Sequence, residues 1–205
     1  TINMNFVFWW DIPCKGISGV IRELSKFEGI NVIIITGELS SARKNMGWNS
    51  EFFFPAKHIV LNDEIWNNES FNLLYEYKEF YHFFNGYYHP KRIKKLIKKA
   101  LKINVLFSIL SEAPSNPFNG FKFYLAEFYY NYILSIVCKN VVSKSEFIFC
   151  LSGSSLSDKN KLLKIGWKIN QIIPFGYFTD VQSKAYNIIN NEIVNNEFSK
   201  LQTGY

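Results

Sequence analysis

Little in this 205-residue chain offers metal or disulfide chemistry. It has three cysteines, Cys14, Cys138 and Cys150, widely spaced and without a CxxC pair. That pattern argues against a disulfide framework and against a thiolate metal site. Cys138 and Cys150 fall in apolar segments and read as buried, reduced thiols, which suits a cytoplasmic chain. The three histidines, His58, His82 and His89, form no HExxH or related spacing, so no metal is assigned. Thr1 to Trp10 lacks the basic n-region of a signal peptide. The longest apolar stretch, Phe121 to Val137, is interrupted by Lys122, Glu127 and Asn131. It is a poor membrane span and reads instead as a buried amphipathic helix. There is no repeated unit and no GxGxxG dinucleotide fingerprint.

What is present is apolar and aromatic. Hydrophobic residues make up 48% of the chain and aromatic residues 18%, enough for a full core with rings left for an interface or groove. The net charge of +6 is concentrated in one place. Lys91, Arg92, Lys94, Lys95, Lys98, Lys99 and Lys102 lie in a segment that has no acidic residue, and the rest of the chain is close to neutral. Between these bases, Ile93, Leu96, Ile97, Ala100 and Leu101 form one apolar helical face. A solvated helix surface normally mixes both signs, so this segment predicts an anionic partner. A lipid headgroup layer fits best, with nucleic acid as the rival that is set aside. The bland reading is an ordinary sheet-covering helix. Tyr87, Tyr88 and His89, just before it, could mark a membrane-interface edge or simply pack in the core or a loop.

Punctuation along the chain predicts the architecture. Met4 to Trp10 is a continuous apolar run, like a strand buried on both faces. A loop containing Gly16, a helix over Gly19 to Phe27 and a second strand over Ile30 to Thr36 complete a βαβ unit. Further strands are expected at Lys57 to Leu61, Ile103 to Leu110, Phe147 to Leu151 and Gln171 to Ile173. Helices are expected at Ser70 to Phe84, after Pro90, at Phe121 to Lys139 and at Ser154 to Ile165. The expected fold is α/β, a Rossmann-like parallel sheet with helices on both faces, over residues 1–180. Residues 181–205 are polar and Asn-rich. They read as a C-terminal helix capping the domain or as a lead-in to a further domain.

Ligands of such folds bind at the carboxyl ends of the strands. Asp11 after the first strand and Glu112 after Ile103 to Leu110 are candidate general bases toward a hydroxyl, or else loop anchors. Gly16 in the first loop could let the backbone approach a phosphate, or could serve only the turn.

The segment Phe147 to Asp180 (FIFCLSGSSLSDKNKLLKIGWKINQIIPFGYFTD) resembles the end of the N-terminal domain of GT-B glycosyltransferases of the family-4-like group. Ser152, Gly166, Pro174, Gly176 and Asp180 stand where that group has a strand-end serine, a helix-ending glycine and a PxGxD-type turn. Asp180 is one residue late. The resemblance implies a nucleotide-sugar donor bound mainly by a C-terminal domain. It implies a glycan or lipid-linked acceptor bound here, as in bacterial surface polysaccharide or lipopolysaccharide synthesis. No cofactor is implied, because the nucleotide-sugar is a substrate. Gly16, Ser18 and Gly176 carry over as donor-side positions, and Ser111 and Ser152 as acceptor-cleft positions. The basic helix resembles the group's device for peripheral attachment to the inner face of the cytoplasmic membrane. Two departures stand out. The usual glycine pair of the first loop is reduced to Gly16, and the acceptor-side histidine expected after the fourth strand is replaced by Ser111 and Glu112. Residues 181–205 then become the lead-in to the donor domain, and this fragment is expected to be inactive alone. The alternatives are a self-contained, non-enzymatic α/β domain docking on an anionic membrane or partner, and a flavodoxin-like or nucleotide-binding response domain.

Overall fold

The computed structural model describes residues 3–45, 53, 55–115, 118–150 and 156–176. Ser152, Asp180 and residues 181–205 lie outside them, so the readings placed on those residues are not addressed by the structure.

Among the described residues, seven strands form one all-parallel sheet. They are β1 (Met4–Trp10), β2 (Ile30–Gly37), β3 (Lys57–Leu61), β4 (Tyr81–Asn85), β5 (Phe107–Ser111), β6 (Ile148–Cys150) and β7 (Ile172–Pro174). Their order is β3-β2-β1-β4-β5-β6-β7. The order runs outward in both directions from β1 and β4, which creates a topological switch point between these two strands. The sheet alternates its side chains between two cores. On one face, Val7, Trp9, Ile33, Ile35, Phe84 and Ile109 pack against α3 (Trp66–Glu76), α4 (Lys91–Ile103), α6 (Leu134–Lys144) and α7 (Leu156–Ile165). On the other, Phe8, Trp10, Val32, Ile34 and Leu110 pack against Ile17, Phe53 and Ile21 of α1 (Ser18–Leu24), and the short α2 (Ser41–Asn45) after β2 buries no residue. The α/β sheet with helices on both faces is therefore present.

Strand β4 was not foreseen, because Ser70 to Phe84 reads as one aromatic helix. The helix in fact ends at Glu76, and Tyr81 to Asn85 forms a strand whose residues alternate between half-buried and buried. A buried hydrogen-bond chain fixes this strand. Trp9 Nε1 donates to His82 Nδ1 at 2.9 Å, and His82 Nε2 donates to the Tyr77 carbonyl at 3.0 Å. The imidazole thus ties β1 to β4 and to the last turn of α3. Burial pushes its pKa down to about 4, so the ring is neutral.

Two other boundaries move. The basic helix extends to Ile103 and closes on Asn104 in the left-handed conformation, so the following strand begins at Phe107 and not at Ile103. Ile93, Leu96, Ile97 and Ala100 are buried on the sheet as expected, each large side chain contributing roughly 1.5–3 kcal/mol. The segment after β5 is a longer helix than foreseen: α5 (Phe121–Phe128), a π-helical turn (Tyr129–Ile133) and α6. Its stripe of Phe121, Leu125, Phe128, Tyr132 and Ile136 is exposed, which overturns the reading of a buried helix. Burial falls instead on Leu134, Cys138, Val141 and Val142, a face that only begins beyond the π turn.

Candidate functional site at the carboxyl edge of the sheet

The carboxyl ends of β1, β2 and β3 converge on Arg92. Its Nε lies 2.5 Å from Asp11 Oδ1, a charge contact without hydrogen-bond alignment. Its Nη1 donates to Asp63 Oδ1 at 2.9 Å, and its guanidinium lies over the Trp66 ring at 4.9 Å. Gly37 makes this approach possible. Its amide donates to the Asp11 carbonyl at 3.1 Å, and a Cβ there would collide with that same carbonyl. A cleft of about 320 Å³ opens beside the cluster, lined by Asp11, Asp63, Trp66, Pro90, Arg92 and Lys95 among others. Burial raises the Asp11 pKa, and the Arg92 charge opposes that rise.

The first loop approaches the edge through Lys15–Ile17, a single 3-10 turn holding half-exposed Gly16. Ser18 is buried at the start of α1. At the far end of the sheet, Gly176 is half-exposed, two residues after β7.

Beyond the switch point the edge is set by β4 and β5. After β4 the chain turns at Gly86, whose φ is 85°, and a Cβ there would collide with the His89 carbonyl. This turn places His89, which is exposed, at the edge beside Tyr88, with their rings 5.6 Å apart. At the end of β5, Ser111 is buried and its hydroxyl donates to the Glu112 carbonyl at 2.9 Å. Glu112 itself is exposed and its charge acts on Tyr88, whose pKa burial pushes up to about 12. A second cleft, of about 260 Å³, lies between the π turn and α7, lined by Pro114, Phe123, Glu127, Tyr130, Lys161 and Lys164 among others. Among the described residues no three His, Cys, Asp or Glu side chains stand together as a metal site.

The edge belongs to a GT-B-like half. One solved structure with the same fold is UDP-GlcNAc 2-epimerase from Neisseria meningitidis bound to UDP-GlcNAc, with a TM-score of 0.57 and 14% identity over 85% of this chain and 47% of that one. Another is a UDP-N-acetylglucosamine 2-epimerase, with a TM-score of 0.55 and 11% identity over 84% of this chain and 47% of that one. The chain thus spans about half the length of the structures it matches. No protein-family model matches the sequence. No curated protein matches it either.

Within this fold, the sites inferred from sequence separate. Asp11 and Glu112 stand on either side of β4, two strand spacings or about 10 Å apart, so they do not form one pair. Arg92 leaves the basic face and turns into the edge cluster, whereas Lys91, Lys95, Lys98 and Lys102 are exposed. Lys94 and Lys99 are half-buried, with Lys99 Nζ over the Phe71 and Tyr75 rings at 5.8 and 5.2 Å. Sequence reasoning missed Asp63, Trp66 and Gly37. Tyr81–Asn85 is the fourth strand in chain order, so the strand that ends at Ser111 is the fifth and not the fourth.

Proposed function

We propose that this chain is the acceptor-side half of a glycosyltransferase that moves a sugar from a nucleotide donor to a glycan or lipid-linked hydroxyl. The observation that carries the proposal is the exposed His89 at the carboxyl edge of β4, beside the switch point, with Glu112 one strand away. An imidazole ring nitrogen at that place can accept a proton from a hydroxyl. His89 takes the acceptor hydroxyl proton as the oxygen attacks the anomeric carbon. The bond from that carbon to the donor diphosphate breaks, and the electron pair leaves with the nucleoside diphosphate. Glu112 orients the acceptor. Asp11, held by Arg92, shapes the neighbouring wall and is a positioning group, not the base. Gly16 and Gly176 stand at the donor side.

The structural neighbours favour one second reading, a nucleotide-sugar epimerase, which needs no acceptor. The two separate in one assay. The protein that carries this chain is incubated with sugar-labelled UDP-GlcNAc and other nucleotide sugars, with and without a glycolipid extract. Acceptor-dependent movement of label, with release of nucleoside diphosphate, is expected. Conversion of UDP-GlcNAc to its 2-epimer without an acceptor would replace this reading with the other.

A further inference from the structure

The α5–α6 helix exposes what a monomer's core would hide. Phe121 is 75% exposed, Tyr132 62% and Ile136 73%, and Leu125, Phe128 and Tyr129 are also exposed. None of the residues of α5 is buried. At helical spacing these six residues form one stripe. Two successive steps of four, from Phe128 to Tyr132 to Ile136, would drift around a plain α-helix. The wider π turn at Tyr129–Ile133 takes up that drift. Their exposed parts amount to roughly 800 Å², at ~150–250 Å² for each large side chain. The largest apolar patch on a typical monomer is only about 300–600 Å². One side of a standard protein interface is about 800 Å². The stripe also has a symmetry. Read from either end, Phe121, Leu125, Phe128, Tyr129, Tyr132 and Ile136 follow the same intervals of four, three, one, three and four residues.

We propose that the α5–α6 stripe is a two-fold interface between two copies of this chain. The two helices lie antiparallel, with the axis between positions 128 and 129. Phe121 then faces the partner's Ile136, Leu125 faces the partner's Tyr132, and Phe128 faces the partner's Tyr129. The same surface serves both copies, as a closed two-fold contact requires. No other axis pairs all six positions. Each pair joins a ring to an aliphatic side chain or to another ring, the residue types that interface cores favour. None of the paired positions is charged, so closing the contact strands no charge at its centre. Charge also favours a second copy over a lipid surface. Between Phe121 and Ile136 the charged residues are Lys122 and Glu127, one of each sign, and Glu127 accepts a hydrogen bond from Asn131 at 3.2 Å. A helix that lies in a headgroup layer carries a polar face rich in Lys and Arg instead. This inference stands on the area, symmetry and neutrality of the stripe, and it is independent of the transfer reaction.

The test is sedimentation velocity of the protein that carries this chain. A dimer is expected at about 10 μM, because interfaces of this size bind at micromolar concentrations or tighter. Phe128→Ser combined with Tyr132→Ser should raise the dimer dissociation constant at least about 100-fold. Both side chains are exposed on the single copy, so the circular-dichroism spectrum should stay that of the wild type. A second measurement reads the register. Phe121→Cys mixed with Ile136→Cys should give a disulfide-linked pair under a mild oxidant, whereas the wild type and each variant alone should not. The proposal is overturned if the wild type sediments as a monomer, whether or not that monomer binds phosphatidylglycerol vesicles. It is also overturned if the double serine variant dimerises as tightly as the wild type, or if the two cysteine variants do not cross-link when mixed.

Discussion

Burial of His82 between Trp9 and Tyr77 couples the core to pH. The folded imidazole takes a proton only near pH 4, whereas the unfolded chain takes one near its ordinary 6.5. Above 6.5 neither state is protonated and the contribution is intact. As pH falls through the window from 6.5 to about 4, the unfolded state binds the extra proton and stability drops by about 1.4 kcal/mol per unit. Urea unfolding at neutral pH and at about pH 5 should show the wild type losing roughly 2 kcal/mol more than His82→Gln. Equal losses would place the titrating group elsewhere. Little of this residue-level wiring was legible in the sequence. His82 is distant in the chain from Trp9, and Arg92 sits on the polar side of a helical pattern that gives no sign of Asp11 or Asp63. Such pairings follow from strand order, which residue spacing alone does not encode. Asp11, Glu112 and Gly16 could be placed at the edge because each directly follows or adjoins a recognisable strand.

At the scale of elements, legibility followed the clarity of the period. The α4 pattern of apolar and basic residues was unambiguous, and its inner face is where the pattern puts it. Ile97→Ala should cost about 2–5 kcal/mol in the urea midpoint, whereas Lys98→Glu should stay within about 0.5 kcal/mol. Comparable losses at both positions would mean that the charged face also packs. Strand β4 was hidden because YHFFN continues the aromatic texture of the helix before it, and aromatic residues serve both states. The α5–α6 helix was misread for a related reason. Periodicity locates an apolar face but not what covers it, so an exposed stripe and a core stripe look alike in sequence. The π turn adds a rotation between α5 and α6 that no residue pattern announced.

For the whole molecule, the parallel sheet and its two-sided layering were readable, because six of its seven strands are apolar runs bounded by turns. The missed strand mattered most, since it lies at the switch point and leads to His89. Once β4 is counted, the edge divides into two parts. One is the charge cluster of Asp11, Arg92 and Asp63, and the other is the stretch after β4 and β5 that carries the exposed His89 and Glu112. The transfer account makes the second part chemical and the first part architectural. The most direct measurement is the turnover number of His89→Ala, in the protein that carries this chain, under saturating nucleotide-sugar and acceptor. The account predicts a fall of about 100-fold or more, with the donor KM little changed. Turnover within about twofold of wild type would contradict it, because a general base contributes at least ~100-fold.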